Sequence, residues 1–171
     1  MFRKKLLVIV AAVLVVVLAA FCFVACNPTQ TQEGEKNITV YIGDKTFEVT
    51  TEQLYLHGVL LEMLKDGKIS AYVYTDGAYG VSFSQVDEIS QDPTWTTPPF
   101  LTLWHNVDEF TLKSVYNAEW ASSNPSRSTV TEEDGTKFVT TTHDGVLLYY
   151  SGVGIGAVPV LDGAVYAILV D

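Results

Sequence analysis

An uninterrupted apolar run near the N-terminus is the feature that most constrains what this chain can fold into. The run extends from Leu6 to Ala25 without a charge or a proline, and it follows the basic residues at positions 3–5. A basic start followed by an apolar stretch is typical of a secretory signal. Its length would also allow a membrane-spanning helix. Residues 1–25 are therefore predicted to lie outside the folded domain, either as a cleaved signal or as an uncleaved anchor.

The end of the apolar run favours cleavage. It reads Phe23-Val24-Ala25-Cys26 and turns polar directly afterwards. This segment resembles the lipobox of bacterial lipoproteins, although Phe23 stands where leucine is usual. The resemblance implies that the signal, 1–25, is removed and that the Cys26 thiol carries a diacylglycerol, with acyl chains such as palmitate. The protein would then be extracytoplasmic and anchored to the cell membrane by its N-terminal lipid. Cys22 is a poorer candidate because the bulky Phe21 precedes it.

The charge balance excludes one class of partner. The chain has 20 acidic and 10 basic residues, and three of the basic residues lie in the predicted signal. Such an acidic surface repels nucleic acid and anionic lipid headgroups, so we expect no nucleic-acid partner and membrane contact only through the lipid. With Cys26 acylated and Cys22 removed, the domain has no thiol chemistry and no disulfide. Its stability must then come from a hydrophobic core.

The rest of the chain divides into a tether and one domain. Residues 26–36 comprise the lipidated cysteine and a polar segment without apolar periodicity, which predicts a flexible tether. Residues 37–171 are long enough for a single domain with its own core. The β-rich runs 38–42 and 45–49 flank Gly43-Asp44 and predict a hairpin.

One helix is predicted directly after this hairpin. Leu56, Leu60 and Leu64 recur at a spacing of four residues, which places them on one helical face. Thr50 with Gln53 fits a capping box, and Gly67 fits the C-terminal end. Strands are then predicted over 69–74, 81–86, 100–104, 110–115, 138–142, 146–150 and 164–170. This β-grasp-like order predicts an α+β fold, with a mainly antiparallel sheet and one helix after the first hairpin.

Several stretches resemble, in order, the domain of unknown function that is similar to the C-terminal domain of transcobalamin. These stretches are 40–49, 60–64, 79–83, 146–150 and 156–163. The sequence departs from the family pattern around its double tyrosine, where Leu147-Leu148 precedes and Ser151-Gly152 follows. The region from about 87 to 137 is longer than the corresponding part of the family core and is predicted to be an insertion. Because such a domain covers one face of a corrinoid in transcobalamin, the resemblance implies cobalamin or a related corrinoid as a ligand to be tested.

Neither a catalytic nor a metal-binding constellation is predicted. His57 lies beside the apolar stripe of the helix, and a site shared by His105 and His143 would require the fold to bring them together. The acidic pairs do not have the spacing of an EF-hand. The glycine-rich segment 152–156 lacks the lysine and helix of a phosphate loop, so a tight β turn is predicted there. The chain is therefore predicted not to be an enzyme.

Large aromatic residues near predicted loops and strand ends are the candidates for ligand binding. They are Trp95, Trp104, Tyr149 and Tyr150, of which Trp95 lies in a proline- and threonine-rich loop. Aromatic rings with polar tips make good binding platforms, although each ring is also a candidate for the core. The predicted function is a membrane-anchored extracytoplasmic module that binds a small molecule, a corrinoid being one option. The alternative is a non-catalytic structural or protein-interaction domain of the cell envelope.

Overall fold

The structure is a computed structural model that describes residues 31–171, except Tyr79, Pro93, Trp95, Thr97, residues 116–126 and the side chain of Phe110. Residues Thr31–Asp171 form one compact unit. Within the described residues, no helix is long and apolar enough to cross a bilayer. The predictions for 1–25 and for Cys26 concern residues outside this description.

The elements follow the predicted order of a hairpin, a helix and then further strands. In chain order they are β1 (Lys36–Ile42), β2 (Lys45–Thr51), α1 (Leu56–Lys65), β3 (Tyr72–Gly77), β4 (Gly80–Val86), β5 (Ile89–Ser90), β6 (Leu101–His105), a short 3-10 helix (Phe110–Leu112), β7 (Ser128–Thr131), β8 (Lys137–His143), β9 (Val146–Tyr150) and β10 (Val165–Val170).

The strands form two sheets. The large sheet has the order β2-β1-β10-β6-β9-β8-β7, and the small sheet has the order β3-β4-β5. Strand β1 runs parallel to β10, whereas the other described pairs are antiparallel. An opening hairpin whose first strand pairs in parallel with the last strand, with a helix between them in the chain, is β-grasp-like. The predicted α+β fold class is confirmed.

The C-terminal end of α1 shows why the helix stops where the sequence predicts. Gly67 has a φ of 68°, a left-handed conformation that glycine adopts without a steric penalty. Its amide donates to Leu64 O at 3.1 Å, and the amide of Lys68 donates to Met63 O at 2.8 Å. These two bonds form a Schellman motif, which satisfies carbonyl groups at the helix end.

The N-terminal end of α1 differs from the prediction. Thr50 does not cap the helix, because it lies in β2 opposite Asn37. The residue at the N-cap position is Tyr55, which makes no side-chain capping bond. The predicted capping box is therefore wrong, since pairing with β1 extends β2 through Thr51.

The segment after β6 also differs from the prediction. Instead of a strand over 110–115, the chain forms the short 3-10 helix and then isolated bridges from Lys113 to Ser151 and from Val115 to Phe138. The imidazole of His105 reaches Leu112 O at 3.1 Å. The segment is thus held against the end of β6, and it joins its neighbours through isolated bridges instead of a continuous ladder.

Two segments that were predicted to lie outside the core of the domain contain residues of the large sheet. The stretch 87–137, predicted as an insertion, contains β6, which pairs with both β10 and β9 inside the large sheet. At the other boundary, Lys36 belongs to β1 and is fully buried. Its ammonium donates to the carbonyl oxygens of Gln32 and Gly34, each at 2.8 Å. These bonds join Gln32 and Gly34 to the first residue of β1.

The large sheet buries apolar side chains on both faces. One face packs against α1 and the small sheet through residues such as Val40, Leu103 and Ile168. The other face carries a second cluster, whose buried members are Tyr41, Trp104, Val139, Leu148 and Ala167. Successive residues of a strand point to opposite faces, so β1, β6 and β10 contribute to both clusters.

Candidate binding cavity

A cavity of about 390 Å³ lies where the β3–β4 hairpin meets the large sheet and the segment after β9. We call it the hairpin cavity. Its volume is within the usual range for small-molecule sites. The lining residues are Thr75, Gly77, Ala78, Gly80, Val81, Ser82, Phe83, Leu101, Leu103, Tyr150, Ser151, Val153, Gly154 and Ile155.

The glycine-rich segment 152–156 forms one wall because it lies very close to β4. A Cβ atom at Gly154 would be 2.9 Å from Val81 O, and one at Gly156 would be 2.9 Å from a methyl carbon of Val81. Neither glycine has a positive φ. These positions therefore need glycine for the close approach of the two chain segments. The amide of Ala157 donates to Gly154 O at 2.9 Å, so the segment also turns, as predicted.

Replacing Gly154 by alanine is expected to lower the free energy of unfolding by about 1–3 kcal/mol, because the new methyl group forces Val81 and β4 away from the segment. Urea unfolding followed by far-UV circular dichroism measures the change. Gly77→Ala is the matched control, since its Cβ would meet no atom closer than 4.0 Å. An equal effect of both substitutions would contradict the close-approach argument.

The lining of the hairpin cavity is apolar and uncharged. No charged side chain is among the described residues that form it. Its hydroxyl groups bond locally: Ser151 Oγ donates to Val153 O at 2.8 Å, and Ser82 Oγ donates to Thr75 O at 3.4 Å. A charged ligand would lose its hydration here without gaining a counter-charge. The cavity is therefore suited to a neutral, mainly apolar molecule.

The predicted binding residue Trp104 belongs to the core and not to a binding surface. Its side chain is 1% exposed, and its indole N–H donates to Thr102 Oγ1 at 2.8 Å. The ring of Tyr150 packs edge-on against it, with centroids 5.1 Å apart. Both rings thus lie on the second face of the sheet, away from Leu103. Tyr150 is also one of the residues that line the hairpin cavity, and burial raises the pKa of its phenol.

The other predicted binding residues are not brought to the same place. Tyr149 pairs with His105 and so faces the opposite side of the sheet from Tyr150. The Lys113 ammonium lies 4.0 Å from the centre of the Tyr149 ring, a cation–π contact within the fold. Trp95 lies outside the described residues. The fold therefore places the three described aromatic rings in internal contacts.

The two histidines considered above for a shared metal site lie on opposite faces of the large sheet. His105 is fully buried, and burial lowers the pKa of its imidazole. His143 packs against Tyr41 on the second face, with ring centroids 4.6 Å apart. The fold does not bring these residues together. Across the described residues, no group of three or more His, Cys, Asp or Glu side chains is arranged to hold a metal ion.

Two further cavities are more polar. One, of about 470 Å³, lies beside the first hairpin and includes Lys45, Asp87 and Glu88. The Lys45 ammonium is 2.7 Å from Asp87 and 3.0 Å from Glu88, so the one cation of this group is already paired with two carboxylates. The other, of about 410 Å³, lies at the start of α1 beside Tyr55 and His57. Both include ionisable side chains among their described lining residues, whereas the hairpin cavity has a mainly apolar and uncharged lining.

Sequence reasoning missed the residues that form the hairpin cavity, chiefly Val81, Leu103 and Val153. Each looks like an ordinary strand or loop residue, and only tertiary contacts bring them together. The closely spaced glycines of 152–156 were the available signal, because glycine marks close backbone approach as well as turns. Aromatic content pointed instead to residues that the fold uses for packing.

No protein-family model matches the chain, and no curated protein matches its sequence. Among solved structures, the crystal structure of a Ruminococcus gnavus protein, described as a candidate metal-binding protein, is similar with a TM-score of 0.43 and 17% identity. The match covers 81% of this chain and 97% of that protein. A likeness at this level carries no inference about ligand or activity. The resemblance to the transcobalamin-type domain and to lipoproteins therefore stays a prediction.

Proposed function

We propose that this chain is a non-catalytic, membrane-anchored extracytoplasmic module that binds a small neutral molecule in the hairpin cavity. The observation that carries the proposal is the uncharged cavity of about 390 Å³ between the β3–β4 hairpin and the large sheet. A concave, mostly apolar site with a few hydroxyl groups is the usual form of a small-molecule site.

The charge of the ligand follows from the lining. The protein is strongly acidic, with a formal net charge of −10, and an anion is repelled as it approaches. A cation is attracted to the protein surface but finds no carboxylate among the described lining residues. Desolvation of either ion would therefore be uncompensated. A neutral ligand with a ring or short aliphatic body avoids both costs.

A matched series of ring compounds tests this proposal. Benzyl alcohol, benzoate and benzylammonium share one ring and differ in charge. Their binding to soluble residues 27–171 can be followed by saturation-transfer NMR and calorimetry. We expect measurable binding of benzyl alcohol and at least about tenfold weaker binding of both ions, a difference of about 1.4 kcal/mol or more. Equal binding of the three compounds, or none, would contradict the proposed ligand class.

A variant that fills the cavity locates the binding. Val153→Trp introduces an indole at the half-buried wall residue Val153, and we expect it to abolish binding of benzyl alcohol. Leu147→Trp is the control, because Leu147 is 43% exposed on β9 and is not among the lining residues. Far-UV circular dichroism must show that both variants are folded. Retained binding by folded Val153→Trp would place the ligand elsewhere.

Cobalamin and cobinamide belong in the same titration, because the resemblance to the transcobalamin-type domain implies a corrinoid. A corrinoid macrocycle is too large to enter a cavity of about 390 Å³, so it would only cover the mouth. Saturable changes in corrinoid absorbance that persist in Val153→Trp would favour a corrinoid over the small ligand proposed here.

The membrane anchor has a separate test at Cys26. Acyl chains on this thiol would hold the protein stably at a membrane. We expect the full chain, made in a bacterial host fed with labelled palmitate, to take up the label. Cys26→Ala should abolish labelling, whereas Cys22→Ala should leave it unchanged. Labelling of the Cys26→Ala protein would exclude this residue as the anchor.

A further inference from the structure

Strand β6 has an unpaired stretch of backbone at the hairpin cavity. Its C-terminal end pairs with β9, and Ser151 N then donates to Leu103 O at 2.8 Å. If the register of β6 and β9 continued, Val153 would lie opposite Leu101. Among the described residues, backbone pairing between the two segments instead ends with the bond to Leu103 O.

The hydroxyl group of Ser151 turns the chain away from β6. Ser151 Oγ donates to Val153 O at 2.8 Å and accepts a bond from Val153 N at 3.4 Å. The backbone polar groups of Val153 are therefore bonded locally and do not pair with Leu101. This turn leaves a gap in the large sheet beside β6, and Leu101, Leu103, Ser151 and Val153 all line the hairpin cavity.

The pairing of β6 with β10 shows which way the backbone groups at this gap point. Phe100 and Asp171, directly before β6 and directly after β10, exchange two backbone hydrogen bonds of 3.2 Å and 2.9 Å. In an antiparallel pair, such bonded positions alternate with positions whose polar groups point away from the partner strand. Leu101 and Leu103 occupy positions of the second kind, so their N–H and C=O groups point away from β10 and towards the gap.

Two of these four groups already have partners. The Leu101 N–H donates to Gln91 Oε1 at 2.6 Å, and Leu103 O accepts the bond from Ser151 N. Leu101 O and the Leu103 N–H have no hydrogen-bond partner within the described part of the chain. Both residues are buried, and buried backbone groups nearly always form hydrogen bonds. The cavity therefore offers one acceptor and one donor to a ligand.

We propose that the ligand of the hairpin cavity contains an acylated amino-acid residue in an extended conformation. This inference rests on the proposed function and specifies its ligand class. The N–H of the ligand residue donates to Leu101 O, and its C=O accepts from the Leu103 N–H. One extended residue can make both bonds, because Leu101 and Leu103 flank a single strand position, as in a parallel strand pair.

Strand alternation determines where the substituents of this residue lie. Thr102 faces the second side of the large sheet, where its Oγ1 accepts the Trp104 indole N–H at 2.8 Å, so a side chain opposite Thr102 would also point there. That side is a packed core, which favours glycine at the central position of the ligand. The acyl group lies one position further along and points, like Leu101 and Leu103, into the hairpin cavity.

The charge of the lining sets a second requirement. No charged side chain is among the described residues that line the cavity, so a free amino or carboxylate group would lose its hydration without compensation. Both ends of the ligand residue are therefore blocked, one by an apolar acyl group and the other as an amide. N-phenylacetylglycine methylamide has these features, and its ring suits the apolar wall that includes Phe83, Val153 and Ile155.

An exchange of amide for ester in this probe tests the inference. Phenylacetylglycolic acid methylamide has an ester oxygen in place of the N–H that donates to Leu101 O. Calorimetry with the full chain in detergent compares the two compounds. We expect the amide to bind at least about tenfold more tightly, because the ester leaves Leu101 O without a donor. Folded Val153→Trp, whose indole fills the cavity, should bind neither compound.

The amide signals of the 15N-labelled protein give a second measurement. Both compounds keep the C=O that accepts from Leu103, so each should shift the Leu103 amide proton downfield and slow its exchange with solvent. The Ser151 amide is the internal control, because it already donates to Leu103 O and should change much less. An unchanged Leu103 signal at saturation would overturn the inference, since the ligand would then not bond this group.

Benzyl alcohol, titrated in parallel, separates this inference from the proposed function. If benzyl alcohol binds while the amide has no advantage over the ester, the cavity is a binding site but its ligand needs no amide, and the inference is wrong. If none of the three compounds binds, both the inference and the proposed function are wrong. Tight binding of the amide alone, with the Leu103 shift, supports the inference.

Discussion

Replacing Trp104 by alanine is expected to lower the free energy of unfolding by about 3–5 kcal/mol, the usual cost of truncating a large buried aromatic residue. Trp104 lies at the centre of the second cluster, between Tyr41, Leu148 and Ala167. Its loss leaves a cavity that the neighbouring β-strands cannot close, because their backbones are fixed by the ladder. The substitution also removes the N–H donor that bonds Thr102 Oγ1 at 2.8 Å.

Urea unfolding followed by far-UV circular dichroism measures this effect without depending on tryptophan fluorescence. Leu147→Ala on the neighbouring strand is the control. Leu147 is 43% exposed, and truncating an exposed side chain usually changes stability by no more than about 0.5 kcal/mol. A loss of less than about 1 kcal/mol in Trp104→Ala would show that the second face is not a packed core.

Asp87→Asn is expected to lower stability at neutral pH by about 2 kcal/mol and to have little effect near pH 2. The Asp87 carboxylate accepts bonds from Lys45 Nζ at 2.7 Å, Ser70 N at 2.9 Å and Ser70 Oγ at 2.7 Å. These bonds, that from Lys45 above all, lower the pKa of Asp87 from 3.8 to about 2. A shift of this size corresponds to about 2 kcal/mol, since one pKa unit is about 1.4 kcal/mol.

The pH dependence follows from the direction of the shift. Because the pKa of Asp87 is lower in the folded protein, the carboxylate stabilises the fold fully above about pH 4 and loses this contribution as the pH falls towards 2. Asparagine cannot ionise, and it tolerates the positive φ of 51° at this position. The acid limb, which is the decrease in the free energy of unfolding from about pH 4 to pH 2, should therefore be smaller in the Asp87→Asn variant.

Stability measured by urea unfolding between pH 2 and pH 7 tests this expectation. Asp44→Asn is the control, because Asp44 is an exposed residue of the neighbouring hairpin turn. Its acid limb should match that of the wild type. An Asp87→Asn protein with an unchanged acid limb would show that the contacts with Lys45 and Ser70 do not set the pH dependence.

The sequence alone was sufficient for the first hairpin, for the helix and for the end of that helix. Residues 36–51 form a hairpin because β-branched and aromatic residues flank a two-residue turn, and Gly43 supplies a φ of 57° there. Residues 56–65 form a helix because their apolar side chains recur on one face, and Gly67 ends it. The order of these elements also predicted the α+β class. Each of these features depends on neighbours a few residues apart, so the chain encodes it locally.

The tertiary structure alone decided which residues pack in the core and which residues line the hairpin cavity. Trp104, Tyr149 and Tyr150 have the composition of a binding platform, yet cross-strand pairing assigns them to opposite faces and to internal contacts. Val81 and Gly154 are far apart in sequence, and only their close packing forms the wall of the hairpin cavity. Strand register fixes which face every side chain occupies, and register is set by long-range pairing that no local pattern specifies.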